Sequence, residues 1–461
     1  MAEESRSQDS AGGLDENERL REVIRALHKK SPDLFVEGLD GIPVGTRELV
    51  SGVLDDDQAL EASETPDSFD FDTVKPREGA LRRSELTRRE GIIGSENADM
   101  GFDPSPAVQA ALDESVKKHG YLEVPGALDD AIVSWLKKIH NWNIDKNRES
   151  IVKLNDSNSA ITAACKAFAK QSIMPGRRGS IVACLPAYYA ARIASENAGI
   201  PLKTISLIEG TNEIDTAALS KVLKKGDVFI LTNPHNPTGH VHTREELLAI
   251  KEICDAKNVT MVVDELHDGL VLDKGKEMVS MGSLYEAGET NNTVTLLSTG
   301  KSFNLSATPC PMMIVPDEKK REQFKAQLRA GGGMRADHIS NPVANGAAIA
   351  AYTESDEWRE ELIKYLRINA KMVFDRINAM KGLSMQMPEG THLAWIDARD
   401  AGLDEEPADF FAKKADVAVY AGRNFDVEGE TDYSQFFRLN VALPLPELKK
   451  MLDKIGEALP K

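Results

Sequence analysis

Three segments of this 461-residue chain place an amide, a carboxylate and an amine directly after short apolar runs. DVFILT leads into Asn233-Pro-His-Asn-Pro-Thr-Gly239, VTMVV into Asp264-Glu-Leu-His267, and TVTLL into Ser298-Thr-Gly-Lys301-Ser-Phe-Asn304. In open α/β sheets ligands sit beyond the carboxyl ends of the strands, so these three ends are the places to look for chemistry. A lysine after a serine-rich strand end is, by itself, an ordinary solvated residue. Its company changes that reading. An amine that can lose its proton forms an imine with a carbonyl-bearing heterocycle, a carboxylate holds the proton on a pyridine-type ring nitrogen, and a neutral donor reaches a phenolic ring oxygen. Lys301, Asp264 and Asn236 are the right types for those tasks.

The elements needed to position them are legible as patterns. From Phe69 onward, short apolar runs (SIVACLP, DVFILTNP, VTMVVDE, TVTLLSTG, PMMIVPD) alternate with amphipathic segments of a dozen or more residues, the signature of βα units around a mainly parallel sheet. TREELLAIKEICDAKN at 243–258 predicts a crossover helix that opens on Thr243 as N-cap, with Glu246 at capping-box spacing. After Gly346 come long helical stretches and then the strand-like runs THLAWID and FFRLNVAL, which predict a smaller α+β domain. The expected division is a polar, partly helical appendage over 1–67, a joining segment over 68–104, a large α/β domain over 105–345 and a small C-terminal domain over 346–461.

Composition narrows the function classes. With 56 basic against 74 acidic residues the formal charge is −18, spread along the chain, which disfavours a nucleic-acid or anionic-membrane partner. There is no apolar run of membrane-spanning length, and the N-terminus carries no signal or transit pattern; a cytoplasmic protein is expected. Cys165, Cys184, Cys254 and Cys310 have no CxxC spacing and read as reduced, buried thiols. His235 reads as packed within its Pro-rich turn. His240 and His242 read as an exposed strand pair rather than a metal site, because no third ligand is apparent, and no metal is expected.

Eight motifs in order carry a family resemblance: FDFDTVKPREG from Phe69, NADMGF at 97–102, NPHNPTG at 233–239, DELH at 264–267, KSFN at 301–304, AAYTESDEW at 350–358, GTHLAWID at 390–397 and RLN at 438–440. The chain resembles fold-type I enzymes that use pyridoxal 5′-phosphate (PLP), and within them the cystathionine β-lyase/cysteine-sulfur lyase branch of the class I/II aminotransferases. The resemblance implies that Lys301 holds the cofactor as an imine and later shuttles the substrate's α-proton, that Asp264 pairs with the ring nitrogen, and that Asn236 bonds the ring oxygen. It also implies that Tyr188 stacks on the ring, that Ser298, Ser157 and Asn158 hold the phosphate, and that Tyr121 reaches the phosphate of a neighbouring subunit in a homodimer with its site at the interface. Arg438 is implied to bind the substrate α-carboxylate, a bidentate task suited to guanidinium. His267 stands where aminotransferases often carry tyrosine, which favours the lyase branch.

Several positions depart from the family pattern. Asp156 sits in the phosphate turn, where its charge is repulsive unless it points away or caps the helix. Gly300 replaces a usual serine, His392 a common tyrosine, and ValAlaLeuProLeuPro follows RLN in place of a Cys-Pro-Arg type turn. Ser84-Glu-Leu replaces Lys-Trp-Asp, and the basic cluster Arg82-Arg83 with Arg88-Arg89 reads as a solvated helix face. The leading expectation is β-elimination from an amino acid bearing a β-thiolate leaving group, giving thiol, pyruvate and ammonia. Transamination, or a specialised cyclisation or oxidation of an amino acid, uses the same residues; a catalytically weak regulatory protein of the same fold is the third reading.

Overall fold

The structure is a computed structural model that describes residues 68–76, 81, 84–119, 126–169, 179–286, 289–331, 341–429 and 431–460. The appendage expected over 1–67, Tyr121, Arg82 and Arg83 lie outside the described residues.

A seven-stranded sheet forms the frame, built from β1 Ile151–Lys153, β2 Ile181–Leu185, β3 Leu202–Ser206, β4 Val228–Thr232, β5 Thr260–Asp264, β6 Thr293–Ser298 and β7 Pro311–Ile314, in the order β1-β7-β6-β5-β4-β2-β3. Strands β6, β5, β4, β2 and β3 run parallel, while β7 lies antiparallel to both β6 and β1. The five apolar runs singled out in the sequence become β2, β4, β5, β6 and β7. Their continuous hydrophobicity follows from burial of both faces. In β4, Val228 and Ile230 join the core on one side of the sheet, and Phe229 and Leu231 join the core on the other. In β5, Val262 joins the first and Met261 and Val263 the second, the period-two alternation of a pleated strand.

Crossover helices cover these faces. Helix α1, Ser157–Phe168, buries Ala160, Ile161, Ala164 and Phe168 against one. Helix α2, Arg244–Lys257, buries Leu247, Ile250 and Cys254 against the other, and its ends are as the sequence predicts: Thr243 Oγ1 accepts from the Glu246 N–H at 3.2 Å, and Asn258 terminates it in the left-handed region at φ 51°. All four cysteines are buried and free. No helix among the described residues is long and apolar enough to cross a membrane.

The helical stretch after Gly346 forms two helices, Pro342–Glu354 and Asp356–Ala379, broken at Ser355, whose Oγ donates to the Ala350 carbonyl at 3.0 Å. Beyond them a four-stranded antiparallel sheet pairs Leu393–Asp397 and Phe436–Asn440, flanked by Ser384–Met385 and Tyr420–Ala421. The FDFD motif belongs to this region structurally. Phe71 packs against Phe102, Trp358 and Tyr365, with ring centroids 5.3, 5.9 and 5.3 Å away, and Asp72 accepts a 2.6 Å hydrogen bond from the Tyr365 hydroxyl.

One expectation is overturned. His240 and His242 are neither exposed nor on a strand: both are buried, in the irregular stretch between the Asn233–Gly239 turn and α2. The alternation His-Val-His mimics a half-exposed strand, but the turn folds this stretch inward. A third candidate ligand, Glu246, lies against both rings.

Candidate active site

The sheet brings the three chemically equipped strand ends side by side. Asp264 closes β5 and is paired across the parallel ladder with Leu296 of β6. One turn past the end of β6, the short helix α3, Thr299–Ser302, presents Lys301. Ser298 is the N-cap of α3: its Oγ accepts from the Gly300 N–H at 3.2 Å, which fixes the start of the turn that aims the lysine. The lysine amine donates to the carbonyl oxygen of Ala98 at 2.6 Å.

Asp264 is buried, and burial pushes its carboxyl pKa up to about 6, with the Leu266 N–H at 3.2 Å and the charge of Lys301 opposing that rise. The carboxylate and the lysine helix thus stand at the ends of adjacent strands of one sheet. His267, three residues on, is buried with its ring centroid 5.5 Å from that of His392. Burial, then the charges of His392, Lys301 and Arg438, hold its pKa well below the usual imidazole range, so it is neutral. Its Nδ1 is buried without a hydrogen-bond partner.

Asn236 and Arg438 meet directly. The Arg438 Nη1 donates to Asn236 Oδ1 at 3.0 Å and its Nη2 to the Glu96 carbonyl at 3.0 Å, while the guanidinium lies 4.7 Å from the Tyr420 ring centroid. Strand pairing sets Arg438 opposite Trp395 and Tyr420, so its position is built into the small sheet. The Asn233–Gly239 turn that carries Asn236 needs its glycine: Gly239 has φ +77°, and a Cβ there would lie 2.6 Å from Pro388 Cβ. His235 stays inside this turn, as the sequence predicts, with Nδ1 2.8 Å from Thr238 Oγ1. Tyr188 is half-buried, its ring 4.3 Å from Tyr189, and burial raises its phenol pKa so that it keeps its proton. Arg438 exerts a charge effect on it that marks their proximity.

Ser157 and Asn158 form the first turn of α1, which packs on β5, β6 and β7. Asp156 is the N-cap of that helix: its Oδ2 accepts from the Ser159 N–H at 2.6 Å. The carboxylate that the sequence left ambiguous thus caps the helix, with its charge at the positive end of the helix dipole.

The structure adds residues that motif reading did not assign. Asn304, at φ +55°, accepts from the Met100 N–H and donates to the Phe102 carbonyl at 2.6 Å. Asn440 donates to the carbonyls of Asn97 and Asp99 at 2.9 and 2.5 Å. Together they clamp the segment whose Ala98 carbonyl holds Lys301. Asp268, buried beside the lysine helix, accepts from Trp135 Nε1 at 2.7 Å and from Ser302 Oγ at 3.4 Å, and lies 3.1 Å from His140 Nε2. Burial lowers the His140 pKa, but the hydrogen bond to Asp268 and the charges of Asp268 and Glu265 outweigh it and the net shift is upward. The sequence signal for Asn304 and Asn440 was their place inside the motifs KSFN and RLN, whereas Asp268 lies one residue beyond DELH.

The family model for aminotransferase class I and II matches residues 95–455. The chain is a member of that aminotransferase family. Within it, this member is similar to cystathionine β-lyase PatB of Bacillus subtilis, with 31% identity over 78% of this chain and 91% of the relative, and to protein MalY of Escherichia coli, with 27% identity over 83% and 96%. Among solved structures, a PLP-bound protein of Clostridium difficile 630 matches with a TM-score of 0.75 and 26% identity, covering 85% of this chain and all of that one. The family member has the α/β architecture of fold-type I transferases, as the eight motifs imply.

Proposed function

We propose that the chain is a PLP-dependent β-lyase that cleaves a carbon–sulfur bond in a cystathionine-like or cysteine-conjugate amino acid. The observation that carries this reading is the placement of Asp264 and Lys301 at the ends of adjacent strands, beside the buried imidazole of His267. The similarity to a cystathionine β-lyase over nine-tenths of that relative's length supports the choice of reaction.

The residues fit the cofactor. Asp264 is a buried carboxylate whose raised pKa reflects the lack of a strong cationic partner within the protein, which a protonated ring nitrogen supplies. The His267 imidazole and the amide of Asn236 offer polar groups for a ring oxygen, Tyr188 an aromatic face, and Ser298 with the first turn of α1 a set of donors for phosphate. PLP bound there supplies an electron sink conjugated to the α-carbon of the substrate.

The protein's own groups do the rest. Arg438 takes the substrate α-carboxylate through its fork, keeping the hydrogen bond to Asn236 that orients the guanidinium. Lys301 Nζ would take up the α-proton, and its hydrogen bond to the Ala98 carbonyl orients the amine. The β-thiolate departs, and hydrolysis of the resulting enamine yields pyruvate and ammonia. The clamp of Asn304 and Asn440 keeps the whole arrangement in register. A cytoplasmic homodimer whose partner contributes Tyr121 accompanies this reading; sedimentation of the purified chain tests the dimer.

The experiment is direct. Purified protein given L-cystathionine and a panel of cysteine conjugates is assayed for free thiol and pyruvate. Accumulation of a keto acid from the intact substrate, with neither thiol nor pyruvate released, reassigns the chain to transamination.

A further inference from the structure

His240, His242 and Glu246 form a second cluster that the proposed reaction does not use. Oε2 of Glu246 lies 2.9 Å from His240 Nε2 and 3.0 Å from His242 Nδ1, and the two imidazole rings stand nearly perpendicular with centroids 4.8 Å apart. One donor atom from each residue lies within 4.8 Å of the others. Both histidines are buried, and His242 Nε2 has no hydrogen-bond partner.

Each member is placed by the fold rather than by a flexible side chain. The His242 N–H donates to Asn233 Oδ1 at 3.2 Å, and Asn233 Nδ2 in turn donates to the Val279 carbonyl at 3.1 Å. Glu246 occupies the first turn of α2. Its spacing from Thr243 suits a capping box, but its carboxylate bonds the two imidazoles, so only the Thr243 half of the box forms in the manner of a cap. The other face of His240 is held by Glu389, whose Oε2 is 2.9 Å from His240 Nδ1, accepts from the Val241 N–H at 2.8 Å, and whose Oε1 pairs with Lys276 at 3.0 Å.

Two histidines and one glutamate converging on a single point are a zinc-type ligand set with a fourth position open to water, and imidazole nitrogen selects zinc, copper, nickel or iron over calcium or magnesium. A ligating histidine characteristically donates its remaining ring N–H to a carboxylate, which fixes its tautomer and orientation. Glu389 stands in that relation to His240. We propose that His240, His242 and Glu246 bind a zinc-class divalent cation, with Glu389 as the positioning residue for His240. Binding requires His240 Nε2 and His242 Nδ1 to be free of protons, so it strengthens as pH rises.

The location gives the ion a role. Glu389 comes from the turn that leads to His392, and the Gly390 N–H donates to the Gly239 carbonyl at 2.8 Å. An ion at this cluster would tie the stretch after the Asn236 turn to the first turn of α2, and would touch the turn leading to His392 only through the Glu389 contact with His240.

The test uses the full chain with its cofactor, stripped by chelator and dialysed against zinc chloride, with bound metal measured by elemental analysis and unfolding followed by heat. About one zinc per chain and a rise in the unfolding midpoint are expected. His242→Gln and Glu246→Gln are expected to weaken zinc binding by at least about 100-fold, and Glu389→Gln by about 10- to 100-fold, as for other outer carboxylates. Cobalt(II) on the unmodified chain provides a reading that needs no variant: visible d–d bands of a tetrahedral site are expected. Absence of stoichiometric zinc and cobalt binding, or zinc binding unchanged in both folded variants, overturns the site and leaves a proton-sharing network only.

Discussion

The Lys301 amine donates to the Ala98 carbonyl at 2.6 Å, across 203 residues of sequence. The position of the proposed proton carrier therefore depends on a segment that neither follows nor precedes it in the chain. That segment is held from both sides, by Asn304 of the lysine's own motif and by Asn440 two residues beyond Arg438.

Asn304→Ala tests the clamp. Alanine at φ +55° costs about 1 kcal/mol or more, and losing hydrogen bonds to Met100 and Phe102 adds roughly another 1 kcal/mol apiece. Stability is expected to fall by about 2–4 kcal/mol and kcat by about tenfold. Asn304→Gly relieves the backbone but not the lost bonds. Chemical denaturation of both separates the two contributions, and equal stability for glycine and asparagine at 304 removes the clamp from the account.

Asp264→Asn has opposite effects on stability and function. The folded, cofactor-free protein holds this carboxyl at about pKa 6 against an ordinary value of 3.8, so folding favours the protonated form. Below pH 3.8 the group is protonated in both states and contributes nothing. As pH rises from 3.8 to about 6 the unfolded chain ionises first and stability is lost, and above about 6 the full penalty, on the order of 3 kcal/mol, is present. The cofactor-free Asp264→Asn protein should therefore be more stable than its parent at pH 8 and indistinguishable from it near pH 4, while its lyase activity falls at least a hundredfold. Thermal melts across that window decide it: an equal difference at both pH values contradicts the burial argument.

Much of this was readable in the sequence, for a physical reason. Parallel strands buried on both faces must be continuously apolar, so the runs ending at Thr232, Asp264 and Ser298 announce their own carboxyl ends, and function follows at those ends. What pattern reading cannot supply is the partner of a side chain far along the chain. Ala98 contributes only a carbonyl, which no residue type reveals. Glu246 sits at capping-box spacing, and that local explanation concealed its bonds to His240 and His242. Asp156 is the converse case: its charge looked unfavourable in the phosphate turn until the hydrogen bond to the Ser159 N–H showed it to be the helix cap.

His267→Phe probes the neutral imidazole. Nδ1 has no partner to lose, so replacing the ring by a phenyl leaves no new unsatisfied group, and stability is expected to stay within about 1 kcal/mol. Cofactor retention is expected to weaken by about tenfold, because a polar atom available to the ring oxygen is gone. Equilibrium dialysis of the cofactor against both proteins measures this. Unchanged retention places the imidazole outside the cofactor's reach.

Gly300→Ser restores the residue type that the family resemblance leads one to expect. A Cβ at Gly300 would meet Ser298 Oγ at 3.4 Å and the Leu305 carbonyl and Pro309 Cβ at 3.8 Å, all ordinary contacts. The new hydroxyl also has those two oxygens within reach as acceptors, and replacing glycine inside the turn reduces the entropy lost on folding. The variant is expected to match or exceed the parent in stability, by up to about 1 kcal/mol, and to retain the cofactor at least as well. Gly239→Ala is the contrasting substitution, since its φ of +77° and the 2.6 Å approach to Pro388 Cβ leave no room for a side chain. If serine at 300 destabilises the protein as much as alanine at 239, the glycine in the lysine turn is a requirement of this active site rather than a tolerated departure from the family pattern.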